Sequence, residues 1–396
     1  MLAIVAPGQG AQAPGFLSPW LEDPAFADRL NWLGTVAGLD LAFYGTQADA
    51  ETIRDTAIAQ PLLVASGLAT ALALFPSPAD GFRRTGLAAG HSVGEITAAA
   101  ATGVLSAEQA MVFVRERGQQ MALASAARPT SMMAVVGGDQ AEVLAAIEAA
   151  GLTAANNNGS GQIVAAGTVE QLADLQAAAP ARARLIQLSV AGAFHTVHMQ
   201  PAVAHLERLA RAITTQDPRT RLLSNADGQI VESGEEYLAR LVRQVANPVR
   251  WDLCLATMAD LGVTGLLELP PAGTLTGIAK RNLKGVELFA LNTPDQLGAA
   301  QEFVARHGDT SWAEPVPGTP SPLVVVSPGK GEFRKTVGVE VEVVVAAGAP
   351  VGTVSNPRET TEVTTAHTGA VAEWLVEDGD PVSAGQPLLR ISPAQD

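Results

Sequence analysis

The chain has 396 residues, more than a single hydrophobic core usually organises, so we expect about two or three domains. Hydrophobic residues make up 47% of it and charged residues 16%, a balance that excludes an intrinsically disordered chain or a collagen-like repeat. The net charge of −15 argues against general binding to nucleic acid or to an anionic membrane surface.

The N-terminal segment MLAIVAPGQGAQ is predicted to form a buried strand and not a signal peptide, because it lacks a basic leader and its apolar run ends at Pro7. No stretch contains the roughly 20 apolar residues that a membrane helix needs. The single cysteine, Cys254, cannot form an internal disulfide, which suits a reducing compartment. We therefore expect a cytoplasmic protein that binds neither nucleic acid nor membrane.

Short apolar runs bounded by glycine alternate with alanine-rich amphipathic segments over residues 1–308. The runs are 2–6, 85–90 and 264–269, and the amphipathic segments include 61–74, 94–102 and 106–123. Strands that alternate with helices at this spacing predict an α/β domain, with a parallel sheet covered on both faces.

The pattern changes between about 128 and 190. Successive segments there predict the order strand, helix, strand, strand, helix, strand, which is the order of the ferredoxin-like motif. We therefore expect a small ferredoxin-like subdomain to interrupt the larger domain.

A proline-rich segment, 309–321, is predicted to be a linker because prolines and glycines prevent a helix there. Residues 322–396 contain short β-type runs separated by glycine and proline turns, without a helical period. They predict a separate, small all-β domain.

The strongest chemical signal is GHSVG at 90–94, which lies between an apolar strand and an alanine-rich helix. Glycines on both sides of Ser92 permit a tight strand-to-helix turn that exposes its hydroxyl at the helix N-terminus. The same turn places the backbone N–H of Val93 where it can stabilise an oxyanion. Ser92 is therefore the predicted nucleophile, and an ordinary glycine-rich turn is the alternative.

Among the six histidines, His195 is the best candidate for the base. It follows the last strand of the predicted subdomain, where the chain returns to the main domain and its cleft. His91 adjoins the nucleophile, but adjacent side chains at such a turn point apart. The pair of His195 and His198 lacks a third ligand at a suitable spacing, so we predict no metal site.

Seven motifs follow one another along the chain: PGQGAQ (7–12), AQPLL (59–63), GHSVG (90–94), RGQQM (117–121), NNNGSGQIVAAG (156–167), AFHTVHM (193–199) and NPVRW (247–251). Together they resemble the malonyl-CoA:acyl carrier protein transacylases over about residues 1–300. The resemblance implies an α/β-hydrolase-like large domain with a ferredoxin-like insert. It also implies a ping-pong transfer of the malonyl group through a serine and a histidine.

By this resemblance, Ser92 is the nucleophile and His195 the general base that deprotonates it. The backbone N–H groups of Gln9 and Val93 form the oxyanion hole. Arg117 binds the free carboxylate of the malonyl group in a bidentate geometry, which selects malonyl over acetyl.

The resemblance further implies that Gln60 lines the acyl pocket and that Asn156 and Asn158 lie in a polar loop facing the same cleft. The ring of Phe194 is implied to favour malonyl over methylmalonyl, because it crowds the α-substituent. A backbone carbonyl near the NPVRW motif is implied to orient the histidine, and we assign it to Arg250.

Malonyl-CoA and acyl carrier protein are the implied partners, in fatty acid synthesis or in a polyketide pathway. Carrier proteins of this kind are typically acidic, so docking on an acidic chain needs a local basic patch. Lys280 and Arg281 are the predicted patch, and a solvated helix face is the alternative.

The segment 369–391 resembles the second half of a biotinyl or lipoyl carrier domain, a barrel-sandwich fold. Counting back along that pattern places the modified position at Arg358, whose guanidinium is a poor acyl acceptor. We expect a carrier fold without biotin or lipoate, which stabilises the chain or docks a further protein partner. Covalent modification of Lys330 or Lys335 is the alternative.

Two other classes of function remain open. A serine hydrolase such as an esterase would want a third, acidic residue between serine and histidine in sequence, and would not need Arg117. A catalytically idle scaffold is disfavoured by the presence of Ser92, His195 and Arg117 together.

Overall fold

The computed structural model describes residues 1–190, 192–308, 323–356 and 359–393. The chain divides into two compact units, Met1–Trp312 and Ala313–Asp396. The linker predicted over 309–321 and the position Arg358 lie outside the described residues.

The first unit alternates strands and helices. Its strands are β1 Leu2–Ala6, β2 Leu87–Gly90, β3 Thr130–Gly137, β4 Thr153–Asn157, β5 Gln162–Thr168, β6 Ala183–Gln187, β7 Arg221–Leu222, β8 Val249–Arg250, β9 Gly265–Glu268 and β10 Glu287–Ala290. Its helices are α1 Pro24–Ala37, α2 Leu41–Thr46, α3 Thr56–Leu74, α4 Pro78–Arg84, α5 Gly94–Ala101, α6 Ala107–Ala126, α7 Gln140–Ala149, α8 Val169–Ala177, α9 Gln200–Ala210, α10 Gly234–Gln244, α11 Trp251–Asp260, α12 Thr274–Asn282 and α13 Leu297–His307.

A parallel sheet in the order β10-β9-β1-β2-β7 forms the centre of this unit. Successive side chains of β1 point to opposite faces. Leu2 packs into one hydrophobic cluster, whereas Ala3 and Val5 pack into another. Both faces of the sheet are therefore covered, as the apolar runs predict.

A second sheet, in the order β6-β3-β5-β4-β8, is built mainly from residues 130–187. Its first four strands pair antiparallel, and α7 and α8 pack on it through a separate apolar cluster. The elements follow the order strand, helix, strand, strand, helix, strand. The fifth strand, β8, comes from much later in the chain and pairs parallel to β4.

Helix α3 is long and apolar enough to cross a membrane by length and composition alone. However, 72% of its most apolar window is buried inside the unit. Its side chains contribute to the core between α1, α5 and α6, as in an ordinary central helix.

The second unit consists of β-strands within its described residues. They are β11 Leu323–Val326, β12 Gly331–Lys335, β13 Val344–Val345, β14 Pro350–Ser355, β15 Thr360–Thr364, β16 Gly369–Trp374, β17 Pro381–Val382 and β18 Pro387–Pro393. Two antiparallel four-stranded sheets have the orders β11-β18-β16-β13 and β15-β14-β12-β17. Phe333 and a set of valines, leucines and isoleucine form the core of the unit.

Candidate active site

Ser92 lies at a sharp turn between the end of β2 and the start of α5. Its φ of 53° is a left-handed conformation that is uncommon for a residue other than glycine. A Cβ on Gly90 would lie 1.9 Å from the carbonyl carbon of Gly94, and a Cβ on Gly94 would lie 2.2 Å from the oxygen of Ala6. Only glycine fits at positions 90 and 94, so these two residues allow the tight turn that exposes the serine hydroxyl.

The serine hydroxyl contacts the predicted base. Ser92 Oγ lies 2.7 Å from His195 Nε2, and His195 Nδ1 lies 2.8 Å from the carbonyl oxygen of Gln244. A proton on Nδ1, donated to that carbonyl, leaves Nε2 free to accept from the serine hydroxyl. The arrangement is a serine–histidine pair in which a backbone carbonyl orients the imidazole.

The orienting carbonyl is Gln244 and not Arg250, so our assignment of this role to Arg250 is wrong. Gln244 is the last residue of α10, and its carbonyl oxygen, which also accepts from the backbone N–H of Asn247 at 3.1 Å, has a second lone pair for the imidazole. The guanidinium of Arg250 instead pairs with Asp252 at 2.8 Å, and its backbone N–H donates to the carbonyl of Asn225. Our assignment places the carbonyl in a residue of the NPVRW motif, but it belongs to Gln244, six residues before Arg250.

Burial and the nearby charge of Arg117 lower the pKa of His195 to about 3. The imidazole is therefore neutral at physiological pH. A neutral imidazole is the form that can accept the serine proton.

Arg117 is 1% exposed, and amide oxygens hold its guanidinium. Nη1 donates to Gln60 Oε1 at 2.6 Å, and Nη2 donates to Gln244 Oε1 at 2.8 Å and to Ser92 Oγ at 3.4 Å. Burial lowers its pKa to about 10, and the charge of Glu95 opposes that shift, so the group stays protonated at neutral pH. A buried cation thus lies beside the nucleophile, and no described acidic side chain forms an ion pair with it.

The cleft in front of the serine is a pocket of about 310 Å³. It brings together the sequence-predicted residues Gln9, Gln60, Ser92, Asn156, Asn158, Phe194 and His195. Asn156 lies in β4 and not in the polar loop where we expected it, whereas Asn158 follows the end of that strand. Asn158 Oδ1 lies 2.9 Å from His91 Nε2, so the histidine beside the nucleophile is directed to the polar loop and away from the serine.

Two backbone N–H groups near the serine have the character of an oxyanion hole. Gln9 is anchored through its side chain, which donates to Thr56 Oγ1 at 3.3 Å and accepts from Gln60 at 3.4 Å. Within the described residues, the backbone N–H groups of Gln9 and Val93 have no hydrogen-bond acceptor. Both are free to stabilise a developing negative charge.

Comparisons with known proteins agree with this geometry. A model of the acyl transferase domain matches residues 4–304. The chain is 48% identical over 303 residues to a malonyl CoA-acyl carrier protein transacylase of Mycobacterium tuberculosis, covering 75% of this chain and 98% of the relative. It is 32% identical over 309 residues to a protein of the same name from Escherichia coli, covering 76% and 99%.

The chain belongs to the malonyl-CoA:acyl carrier protein transacylase family.

Solved structures place the transacylase fold in the same part of the chain. The crystal structure of the Mycobacterium tuberculosis enzyme superposes with a TM-score of 0.73, covering 76% of this chain and 99% of that one at 48% identity. A malonyl-transacylase in complex with its type II polyketide acyl-carrier protein superposes with a TM-score of 0.70 at 31% identity, with the same coverage. The family match ends at residue 304, so the second unit is an addition to the transacylase.

Lys280 and Arg281 lie on α12, whose Thr274, Leu275 and Ile278 line the transacylase pocket. Both basic side chains are exposed, and Arg281 donates to Gln162 Oε1 at 3.4 Å. The predicted patch therefore lies on an element that borders the pocket.

Among the described residues of the whole chain, no three His, Cys, Asp or Glu side chains are placed to share a metal ion.

Sequence reasoning missed three residues that hold the site together. Asn225 Oδ1 accepts from the backbone N–H of Ser92 at 2.8 Å. The side chain of Gln244 connects Arg117 to Glu95. Only Glu95 carried a signal, since it lies three residues after the nucleophile in the first turn of α5.

Proposed function

We propose that the transacylase unit moves a malonyl group from malonyl-CoA to the phosphopantetheine thiol of acyl carrier protein through a malonyl ester on Ser92. The observation that carries this proposal is the buried guanidinium of Arg117, 3.4 Å from the serine hydroxyl. It places a fixed positive charge where the free carboxylate of a malonyl group, but no part of an acetyl group, can pair with it.

The first half-reaction forms the ester. His195 Nε2 takes the proton of Ser92 as Oγ attacks the thioester carbonyl, and the N–H groups of Gln9 and Val93 stabilise the oxyanion. When the tetrahedral intermediate collapses, the C–S bond breaks and the leaving thiolate takes the proton from His195. The second half-reaction repeats these steps in reverse with the thiol of the carrier protein as nucleophile.

Selectivity for malonyl follows from the cost of leaving Arg117 without an anion. A buried charged group that loses a partner costs a few kcal/mol, about a hundredfold or more in relative rate. Phe194 lines the pocket beside His195 and is proposed to exclude methylmalonyl by crowding its α-substituent. Equal transfer rates for malonyl and methylmalonyl would remove that role.

Intact-protein mass spectrometry after brief mixing with malonyl-CoA tests the proposal. We expect one malonyl increment on the wild-type chain, none on Ser92→Ala, and loss of preference for malonyl over acetyl in Arg117→Ala. Steady ester hydrolysis without an acyl-enzyme would instead favour an esterase. The geometry argues against that alternative, because His195 is oriented by the Gln244 carbonyl and not by an acid.

We propose that an acidic carrier protein docks at the patch of Lys280 and Arg281. The support is the exposure of both side chains on α12, whose N-terminal part lines the pocket. Complementary charge at this rim would speed the encounter and set the register of the phosphopantetheine arm.

For the second unit, we propose a biotinyl/lipoyl-like domain, spanning about 322–396, that carries no cofactor. The support is its two antiparallel four-stranded sheets, in one of which β14 and β15 pair antiparallel. Lys335 is engaged in a 2.8 Å ion pair with Glu377 and lies over the ring of Trp374. An added biotin or lipoyl mass on Lys330 or Lys335, after co-expression with the corresponding ligase, would overturn this proposal.

The role of this domain is proposed to be docking of a further protein or stabilisation of the chain. A cytoplasmic location, which the single buried Cys254 suits, remains part of the proposal.

A further inference from the structure

A buried acid, Glu95, is connected to the buried Arg117 through the side-chain amide of Gln244. Glu95 is 1% exposed, and its Oε2 accepts a hydrogen bond from Gln244 Nε2. The Oε1 atom of the same glutamine accepts from Arg117 Nη2 at 2.8 Å. One side-chain amide therefore connects a carboxyl group to the guanidinium that is proposed to bind malonyl.

Glu95 is not explained by helix capping or by surface charge. Its Oε1 accepts from the backbone N–H of Asn225 at 2.6 Å and from the hydroxyl of Tyr237 at 3.4 Å. The other buried acid of the described core, Glu268, is used differently, since it accepts only from backbone N–H groups at the start of α12. Glu95 is thus the buried acid that shares its environment with Arg117.

We propose that Glu95, when it is ionised, is a countercharge of Arg117 in the empty pocket, and that this form takes up a proton from solvent when the carboxylate of malonyl-CoA binds Arg117. This inference rests on the proposed function. It makes Glu95 a residue that weakens malonyl binding, and not acetyl binding, once it is ionised, because an acyl group without a carboxylate places no second anion beside Arg117.

The physical reason is that a guanidinium shared by two carboxylates stabilises each of them less than it stabilises a single carboxylate. Burial raises the pKa of Glu95 to about 8, while its hydrogen bonds and the charge of Arg117 act in the opposite direction. When a malonyl carboxylate binds Arg117, the guanidinium stabilises the ionised form of Glu95 less, and a second negative charge lies nearby. Both effects raise the pKa of Glu95 further.

A route for the proton is present. Glu95 lines a pocket of about 400 Å³, distinct from the acyl pocket, to which the exposed residues Arg243 and Asn247 also contribute. The proton moves from water to a carboxylate oxygen of Glu95, without any change of redox state. The Gln244 amide stays between the two charged groups.

Three buried titratable groups near Glu95 keep their charge between pH 7 and 9. Burial raises the pKa of Tyr237 on α10 and of Cys254 on α11 well above their usual 10.0 and 9.0. Arg117 on α6 has its pKa lowered by burial only to about 10. The arginines lining the same pocket are each paired with acidic side chains, namely Arg240 with Asp227 and Glu236, Arg243 with Glu236, and Arg250 with Asp252.

The sign of the pH dependence follows from linkage. Ionised Glu95 competes with malonyl for Arg117, so malonyl affinity falls as the pH rises above the pKa of Glu95 in the empty pocket. With that pKa at about 8 and a higher one in the complex, the Kd should rise about tenfold between pH 7 and pH 9. At pH 8, binding should take up about half a proton.

Isothermal titration calorimetry on the full-length Ser92→Ala protein, which cannot form the ester, tests this. Malonyl-CoA is titrated at pH 7, 8 and 9, in two buffers with different ionisation enthalpies, and acetyl-CoA controls for protons on the coenzyme A moiety. We expect the Kd increase and proton uptake with malonyl-CoA only, and neither in Ser92→Ala/Glu95→Gln. The same pH dependence in the Glu95→Gln protein would overturn the proposal.

Tyr237→Phe provides a second variant, should Glu95→Gln fail to fold. It removes one hydrogen bond that favours the carboxylate and keeps the charge, so the increase in Kd should move to higher pH. An unmoved midpoint would contradict the proposal. If the wild-type chain forms the malonyl ester but its affinity for malonyl-CoA is constant from pH 7 to 9, only this inference fails, and not the proposed function.

Discussion

Asn225 holds the nucleophile turn through the backbone of Ser92. Its Oδ1 atom accepts from the Ser92 N–H at 2.8 Å, while its Nδ2 donates to the carbonyl of Gly90 at 2.8 Å. One fully buried side chain thus fastens both sides of a turn whose central residue has a positive φ. Without it, the left-handed conformation of the serine would be less favourable.

We expect Asn225→Ala to destabilise the transacylase unit by about 2 kcal/mol, because two hydrogen bonds are lost. The rate of ester formation should fall about a hundredfold, since the serine is no longer held in line with the thioester. Urea unfolding and the burst of malonyl-enzyme measure the two effects. An Asn225→Ala rate within twofold of wild type would contradict the role.

The assignment of the orienting carbonyl to Gln244 predicts that the side chain of Arg250 is dispensable for catalysis. Arg250→Ala removes a half-exposed ion pair with Asp252, worth about 0–1 kcal/mol, and leaves His195 Nδ1 bonded to Gln244. The transfer kcat should therefore stay within about twofold of wild type. A loss of a hundredfold would show that Arg250 acts on the histidine after all.

The turn geometry predicts opposite outcomes for two glycine substitutions. In Gly94→Ala the new Cβ meets the oxygen of Ala6 at 2.2 Å, so we expect a loss of more than about 2 kcal/mol in the free energy of unfolding. Gly277→Ala on α12 is the matched control, because nothing lies within 4 Å of its Cβ. There alanine should stabilise the helix by up to about 1 kcal/mol. Equal effects in the two variants would contradict the close approach at Gly94.

The depressed pKa of His195 predicts an activity that survives mild acid. Because burial and Arg117 lower that pKa to about 3, the imidazole stays neutral as the pH falls through 6.5. The single-turnover rate of ester formation should be level between pH 5 and 7. An acidic limb with a midpoint near 6.5 would contradict the buried, neutral base.

His195 also makes the free energy of unfolding depend on pH, in a range where the rate of ester formation should not. In the unfolded chain His195 binds a proton below about pH 6.5, whereas in the folded chain it does not until about pH 3. Its contribution to stability is therefore complete above pH 6.5 and is lost as the pH falls toward 3. His195→Gln should flatten that part of the stability profile in urea titrations.

The docking proposal predicts separate effects on the two half-reactions. Lys280→Glu/Arg281→Glu should lower kcat/KM for carrier protein at least tenfold at low ionic strength and leave formation of the malonyl enzyme unchanged. The measurement is transfer to carrier protein alongside transfer to free pantetheine. A matched reversal at Arg208 and Arg211, at the end of α9, should leave both rates unaffected. Unchanged transfer to carrier protein in the α12 variant would remove the patch.

The sequence predicts those features of the site that depend on local sterics. The GHSVG turn could be foreseen, because only glycine tolerates the contacts at positions 90 and 94. Gln9 and Gln60 line the same pocket, as the family resemblance implies, and Arg117 contacts Gln60 and the Ser92 hydroxyl without being one of the pocket's described lining residues. These predictions depend on short segments whose conformation is set by neighbouring residues.

The missed features depend on contacts between distant parts of the chain. Asn225 meets the Ser92 backbone across 133 residues, and Gln244 meets His195 across 49. Neither has a local signature, since an asparagine in a turn and a glutamine at a helix end are ordinary. Similarly, the two residues of β8 are too few for a periodic pattern, although they complete a sheet.

The short strand Val249–Arg250 makes the smaller sheet depend on a distant part of the chain. It pairs with Asn156 and Asn157, which precede the polar loop of the pocket, and it belongs to the segment that follows Gln244. A fragment cut at 128–190 would expose the unpaired edge of β4 to other chains. The small subdomain is therefore not a portable module: a graft or chimera that exchanges it must also exchange residues 244–251, and with them the carbonyl that orients the catalytic base.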